Sequence, residues 1–193
     1  MATVTKRFSF NTDLESWTSS VGAGTTASRS TTEESTNDTN SGNGALSLRI
    51  YGKSKTNAGN YWIWSGTWEN LGVPSGNVVT AVNVSYDWRC SEFATGTGTN
   101  RVGPCVLLSS SDITRATFST AQSSVTGSTS WATVSGTEYS GISDASNTTI
   151  KLKITTDLAT GNSSTAAVTM VQDWIQVTIT YFPVTYKPRI III

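Results

Sequence analysis

Catalysis needs groups that can move protons or attack, and this chain offers few of them. Among its 193 residues there is no histidine, and only 13% are charged. A serine nucleophile therefore lacks the imidazole base of a hydrolase triad. Two acidic groupings invite a glycosidase reading: Glu69 beside Trp68, and the neighbours Glu33 and Glu34. On a strand, adjacent residues point to opposite faces, so Glu33 and Glu34 cannot converge. Gly96-Thr-Gly98-Thr has no following Lys-Ser/Thr and is not a phosphate loop. Two cysteines, Cys90 and Cys105, without imidazoles exclude the usual structural zinc. They flank a Gly/Thr loop, and two reduced thiols are favoured over a disulfide for a chain made in a cytoplasm. No enzyme is expected.

The densest aromatic stretch is Tyr61-Trp-Ile-Trp-Ser-Gly-Thr-Trp68. On a strand, Trp62, Trp64 and Trp68 share one face, while Tyr61 and Ile63 share the other. Exposed, the tryptophan row would stack on sugar rings; buried, it is the heaviest part of the core, and the core reading weighs more. With Trp131, these three are the candidate carbohydrate-binding residues.

Strands must position those groups. No segment repeats apolar residues at helical spacing over a dozen positions, whereas period-two alternation is frequent. In 78–89, Val82, Val84, Tyr86 and Trp88 share a face opposite Ala81, Asn83, Ser85 and Asp87. In 149–156, Ile150, Leu152 and Ile154 face in while Lys151 and Lys153 face water. In 171–181, Val171, Ile175, Val177, Ile179 and Tyr181 face in, and Asp173 shares their parity. Further strands are expected over 4–10, 45–51, 61–68, 102–109, 114–119 and 131–135. A polar edge strand over 28–35 is one reading of the small-residue stretch 18–44. Turns at Ser41-Gly-Asn-Gly44, Val73-Pro-Ser-Gly76, Gly96-Thr-Gly98 and Thr160-Gly-Asn162 separate these runs. About nine short strands at this spacing predict an all-β jelly-roll sandwich of two antiparallel sheets over 1–182.

Composition narrows the partners. Serine and threonine supply 61 residues, and 13 basic groups balance 13 acidic ones. No basic patch points to nucleic acid. No run is long enough to span a membrane, and the N-terminus lacks the apolar segment of a secretory signal. The C-terminal stretch 183–193 carries two prolines, two cations and four final isoleucines, Ile190, Ile191, Ile192 and Ile193. Four exposed β-branched residues would forgo roughly 1.5–3 kcal/mol each of available burial. Packing on its own domain and adding a strand to a neighbouring subunit are equally weighted fates for this extended tail.

The opening Phe8-Ser-Phe10-Asn-Thr-Asp13-Leu-Glu-Ser-Trp17, the strand entry Ser41-Gly-Asn-Gly44-Ala-Leu-Ser-Leu48 and the closing Gln172-Asp173-Trp174-Ile175-Gln176-Val177 resemble carbohydrate-binding-module-like jelly rolls. The resemblance spans residues 6–181 in order of elements and speaks for fold before function. It implies a structural calcium tying the first turn to the last strand, at Asp13 and Asp173, with Asn11 or Glu15 as further ligands. A lone inward carboxylate is costly, which fits a metal at Asp173. Hydrogen bonds from backbone or hydroxyl donors are the alternative. No other cofactor is expected.

Together these features predict a non-enzymatic virion structural protein, a capsid decoration or head or tail component of a bacteriophage. It is expected to assemble with itself and other virion proteins through the tail or sheet edges, with weak affinity for cell-surface glycans. A carbohydrate-binding module and a bacterial adhesin domain are the alternatives.

Overall fold

Alternation along the chain becomes a two-layer β-sandwich. The computed structural model describes residues 1–10, 17–30, 34–38 and 44–183. Among these, twelve strands appear: β1 (Ala2–Arg7), β2 (Trp17–Ser20), β3 (Thr25–Ser30), β4 (Ala45–Tyr51), β5 (Thr56–Thr67), β6 (Val78–Ala94), β7 (Arg101–Ser109), β8 (Thr114–Thr117), β9 (Ala132–Val134), β10 (Tyr139–Ala145), β11 (Thr149–Ala159) and β12 (Ala167–Phe182). The larger sheet runs β10-β6-β12-β4-β3, with β9 also on β6 and β1 also on β12. The smaller runs β2-β5-β11-β7-β8. Every pairing is antiparallel. The architecture is the all-β jelly-roll sandwich that the alternation predicts. The extra strands are mostly short polar edges such as β2, β3 and β10, which carry little apolar signal.

β6 and β12 form the spine, paired from Ala167 opposite Ala94 to Phe182 opposite Val78. Leu46, Leu48 and Ile50 of β4, Val82, Val84 and Tyr86 of β6, and Ile175, Val177 and Ile179 of β12 pack inward. They meet Trp62 and Trp64 of β5, Leu107 of β7 and Ile150, Leu152 and Ile154 of β11. Phe8 makes edge contacts with Trp17 at 5.2 Å and with Trp64 at 5.7 Å. Such aromatic pairs add about 0.5–1.5 kcal/mol beyond area burial. One end of the sandwich is tied by Asp144 of β10, which accepts two bonds from Arg115 at 2.6 and 2.9 Å and one from Trp68 Nε1 at 3.0 Å.

One parity reading is corrected. Met170 and Gln172 face the core, where Gln172 Nε2 donates to Thr156 Oγ1 at 3.3 Å. Ile175 also faces the core. A bulge between Asp173 and Gln176 inserts a residue, and Trp174 takes the left-handed φ of 49° that this costs. Asp173 therefore leaves the inward set and lies on the outer face of the larger sheet, paired with Asp87 on β6.

Cys90 and Cys105 form no disulfide with each other and are fully buried, one on each sheet. Burial pushes the Cys105 thiol up to about 12, which makes it inert.

Candidate functional site

The tryptophans fall on the core side of the β5 register. Trp62 pairs with Ile154 and Trp64 with Leu152, both inward residues of β11. Trp62, Trp64 and Trp68 keep 6%, 3% and 0% of their surface, so none can offer a face to a sugar ring. The stacking role proposed for these three is therefore corrected to a core role. Trp131 is half-buried beside β9, with the Arg89 guanidinium 5.0 Å from its ring. Glu69 accepts a bond from Ser146 Oγ at 2.8 Å and serves a turn. Asp13, Glu33 and Ile190–Ile193 lie outside the described residues.

What the tryptophans leave on the other parity is the outer face of the smaller sheet. Tyr61 and Ile63 of β5 stand beside Thr155 and Lys153 of β11. Asp157 of β11 pairs with Arg101 of β7 one step further along. The Tyr61 ring is half-open at mid-sheet, with the Lys153 ammonium 5.2 Å from its centre. Arg101 Nε donates to Asp157 Oδ2 at 3.0 Å, and the backbone N–H of Gly59 donates to Asp157 Oδ1 at 2.9 Å. These two side chains form one wall of a hollow of about 320 Å³, completed by 56–58, 97–99, Leu158 and Ala159. Gly98, with a φ of 65°, and the hydroxyl-bearing Thr97 and Thr99 line it too, the Thr97 hydroxyl donating to the Thr160 carbonyl at 3.1 Å. An apolar ring face next to fixed donors and acceptors is the arrangement a flat, hydroxylated ligand requires. Sequence reasoning placed Tyr61 and Lys153 outward but gave them no role. The alternation that buried the tryptophans was the signal for it.

A second hollow of about 370 Å³ lies between 117–122 and 133–137. Hydroxyls and Gln122 line it, and its single ring, Phe118, is buried.

The outer face of the larger sheet holds a different arrangement. Asp87 and Asp173 are directly opposite each other and wholly buried beneath residues 34–38. Ser35 donates its backbone N–H to Asp173 Oδ2 at 2.6 Å and its hydroxyl to Asp87 Oδ2. Asn37 Nδ2 adds a bond to Asp87 Oδ2 at 2.8 Å. Among the described residues, Oδ1 of both aspartates is buried with no hydrogen bond of its own. Desolvation, opposed by the Ser35 and Trp174 N–H groups and reinforced by Asp38 and Asp87, pushes the Asp173 carboxyl up to about 6. By contrast, Glu92 on the same sheet is held below its usual range by the Arg49 guanidinium, 2.7 Å away. Among the described residues no three His, Cys, Asp or Glu side chains converge as a metal site. Two unpartnered carboxylate oxygens with adjacent hydroxyl and amide oxygens nevertheless suit a hard cation.

No family model matches the chain, and no curated protein does. Solved structures share the fold. A region of an arabinose-bound α-L-arabinofuranosidase, MgGH51, is similar at 14% identity and a TM-score of 0.52, over 86% of this chain and 23% of that one. The enzymatically active domain of tailspike protein 4 from bacteriophage CBA120 is similar at 7% identity and 0.50, over 89% of this chain and 20% of that one. A carbohydrate-binding module of the β-sandwich superfamily gives 12% identity and 0.49, over 88% and 58%. The chain thus spans a quarter or less of the first two of these proteins and under two thirds of the third.

Proposed function

We propose that this chain is a non-catalytic glycan-binding domain that holds sugar on the outer face of its smaller sheet. The observation that carries this reading is the half-open Tyr61 ring, opposite Thr155 and so on the same sheet face as Asp157, which with Arg101 lines the hollow. The ring takes the apolar face of one sugar; the hollow takes hydroxyls of the next. Tyr51 is more exposed on the other sheet, at 49%. Its ring is covered by Arg49, which Glu92 clamps through two bonds, so it makes a poorer platform. Sugars also accompany the similar structures, an arabinose-bound enzyme and a carbohydrate-binding module, which agrees with the reading without carrying it. Affinity electrophoresis in gels containing different polysaccharides tests it. At least one should retard the chain, and Tyr61→Ala should abolish the retardation while the melting temperature holds. Unchanged retardation by the variant would refute the site.

The same reading includes a structural calcium at Asp173, as the sequence resemblance implies, with Asp87 as the second carboxylate. Asp13 remains a proposed ligand. The ion would supply positive charge to the two unpartnered oxygens and pin residues 34–38 to the sheet.

Virion assembly is the second reading. Phe182, 51% exposed, ends the central strand where the chain enters its apolar last residues. A tail seated on a neighbouring subunit would cover it. Light scattering of the full chain against one lacking residues 190–193 decides: equal masses in both would end this reading.

A further inference from the structure

We infer that the glycan held on this face is acidic, with a carboxylate or sulfate group directed at Lys153. This rests on the proposed sugar site and adds the charge class of its ligand. The outer face of the smaller sheet carries three cations, Arg101, Lys151 and Lys153. Two of them are matched. Arg101 is bonded to Asp157 at 3.0 Å, and Lys151 to Asp112 at 2.7 Å. Lys153 meets no carboxylate among the described residues; its ammonium lies over the Tyr61 ring.

Its place on the sheet makes the unmatched charge informative. Lys153 lies directly across from Ile63 and diagonal to Tyr61, so its stem rests on the same apolar strip a sugar would cover. An ammonium at an exposed ring face is weakly held. A sugar sliding onto the ring displaces it to the edge of that sugar. There its three donors need an acceptor, and an anion satisfies them roughly twice as strongly as a neutral hydroxyl. The flanking ion pairs cannot serve a neutral ligand's partner in its stead, because Asp157 and Asp112 already accept from Arg101 and Lys151. A neutral glycan offers the displaced ammonium only hydroxyl acceptors, which compete poorly with water, and so gains little from it.

The test uses the full chain in affinity electrophoresis and titration calorimetry. The probes are polygalacturonate for carboxylate, dextran sulfate for sulfate ester and xylan for a neutral backbone. Binding to one of the acidic polymers should exceed binding to xylan by about 10-fold at low salt, and should weaken as salt rises. Lys153→Met should remove about that 10-fold and erase most of the salt dependence, whereas Lys153→Arg should retain it. Lys53→Met, an equal charge loss at an exposed turn outside the strands and the hollow's lining, should change little. Which acidic polymer responds identifies the anion. Equal binding of xylan with Lys153→Met silent would overturn the acidic preference and leave the glycan site standing. Equal losses from Lys53→Met and Lys153→Met would reduce the effect to net charge and also overturn it. Failure of all three polymers, with Tyr61→Ala silent, would remove the sugar site itself.

Discussion

The two outer faces of this sandwich use charge in opposite ways. On the larger sheet, two aspartates are set side by side and shut under residues 34–38, each with one oxygen that meets no donor among the described residues. On the smaller sheet, the carboxylates Asp157 and Asp112 are each paired with a cation, and the excess charge is positive and open to solvent. The first arrangement is expensive in the absence of a counter-ion and suits a permanent guest. The second is inexpensive, adaptable and suits a ligand that comes and goes. Burial decides between the two roles, since both faces are built from the same alternating strands.

The largest effect should come from the residues that belong to neither face. Trp64 keeps 3% of its surface and packs on Phe8. Trp64→Ala should cost about 3–5 kcal/mol in chemical denaturation. A loss under 1 kcal/mol would mean that the ring is not core, and would reopen the row 62, 64 and 68 as a sugar platform.

Asp173 comes next. Its carboxyl is raised from 3.8 in the unfolded chain to about 6 in the fold. A raised carboxyl stabilises only while protonated. Without metal, the contribution of this carboxyl to stability is full below about pH 4, falls as pH rises to about 6, and is absent above. The drop is at most about 3 kcal/mol. Asp173→Asn should flatten this profile in chelator. Added calcium should raise the melting temperature of the parent chain above pH 6 and leave Asp173→Asn unmoved, a gain of about 2.7 kcal/mol at 100-fold over the dissociation constant. A parent chain indifferent to both chelator and calcium would remove the calcium site.

Much of this contrast was legible in the sequence. Strict alternation in Ile150 to Ile154 made β11 readable, and the same alternation separated the tryptophans from Tyr61. The edge strand Thr25–Ser30 was readable only in part, as a polar strand over 28–35, because a strand paired along one side and flanked by solvent needs few apolar residues to fix its bounds. The role of Asp173 was misplaced for a physical reason. One inserted residue at Trp174 reverses every side chain before it relative to those after it, and composition gives no sign of a bulge. The partnership of Asp87 with Asp173 joins residues far apart in sequence, so only the register of β6 on β12 could reveal it.

The smallest expected effect sharpens the comparison most. Tyr61 is half-open and contributes little to the core, so Tyr61→Ala should cost under about 1 kcal/mol of stability while removing most polysaccharide affinity. Trp131 is also half-open, but it sits by the edge strand β9 of the larger sheet under Arg89. Trp131→Ala should leave polysaccharide retardation within about 2-fold of the parent. The two substitutions remove similar aromatic area from similar exposure and differ only in which sheet they strip. A larger loss from Trp131→Ala than from Tyr61→Ala would move the sugar to the larger sheet and invert the roles assigned to the two faces.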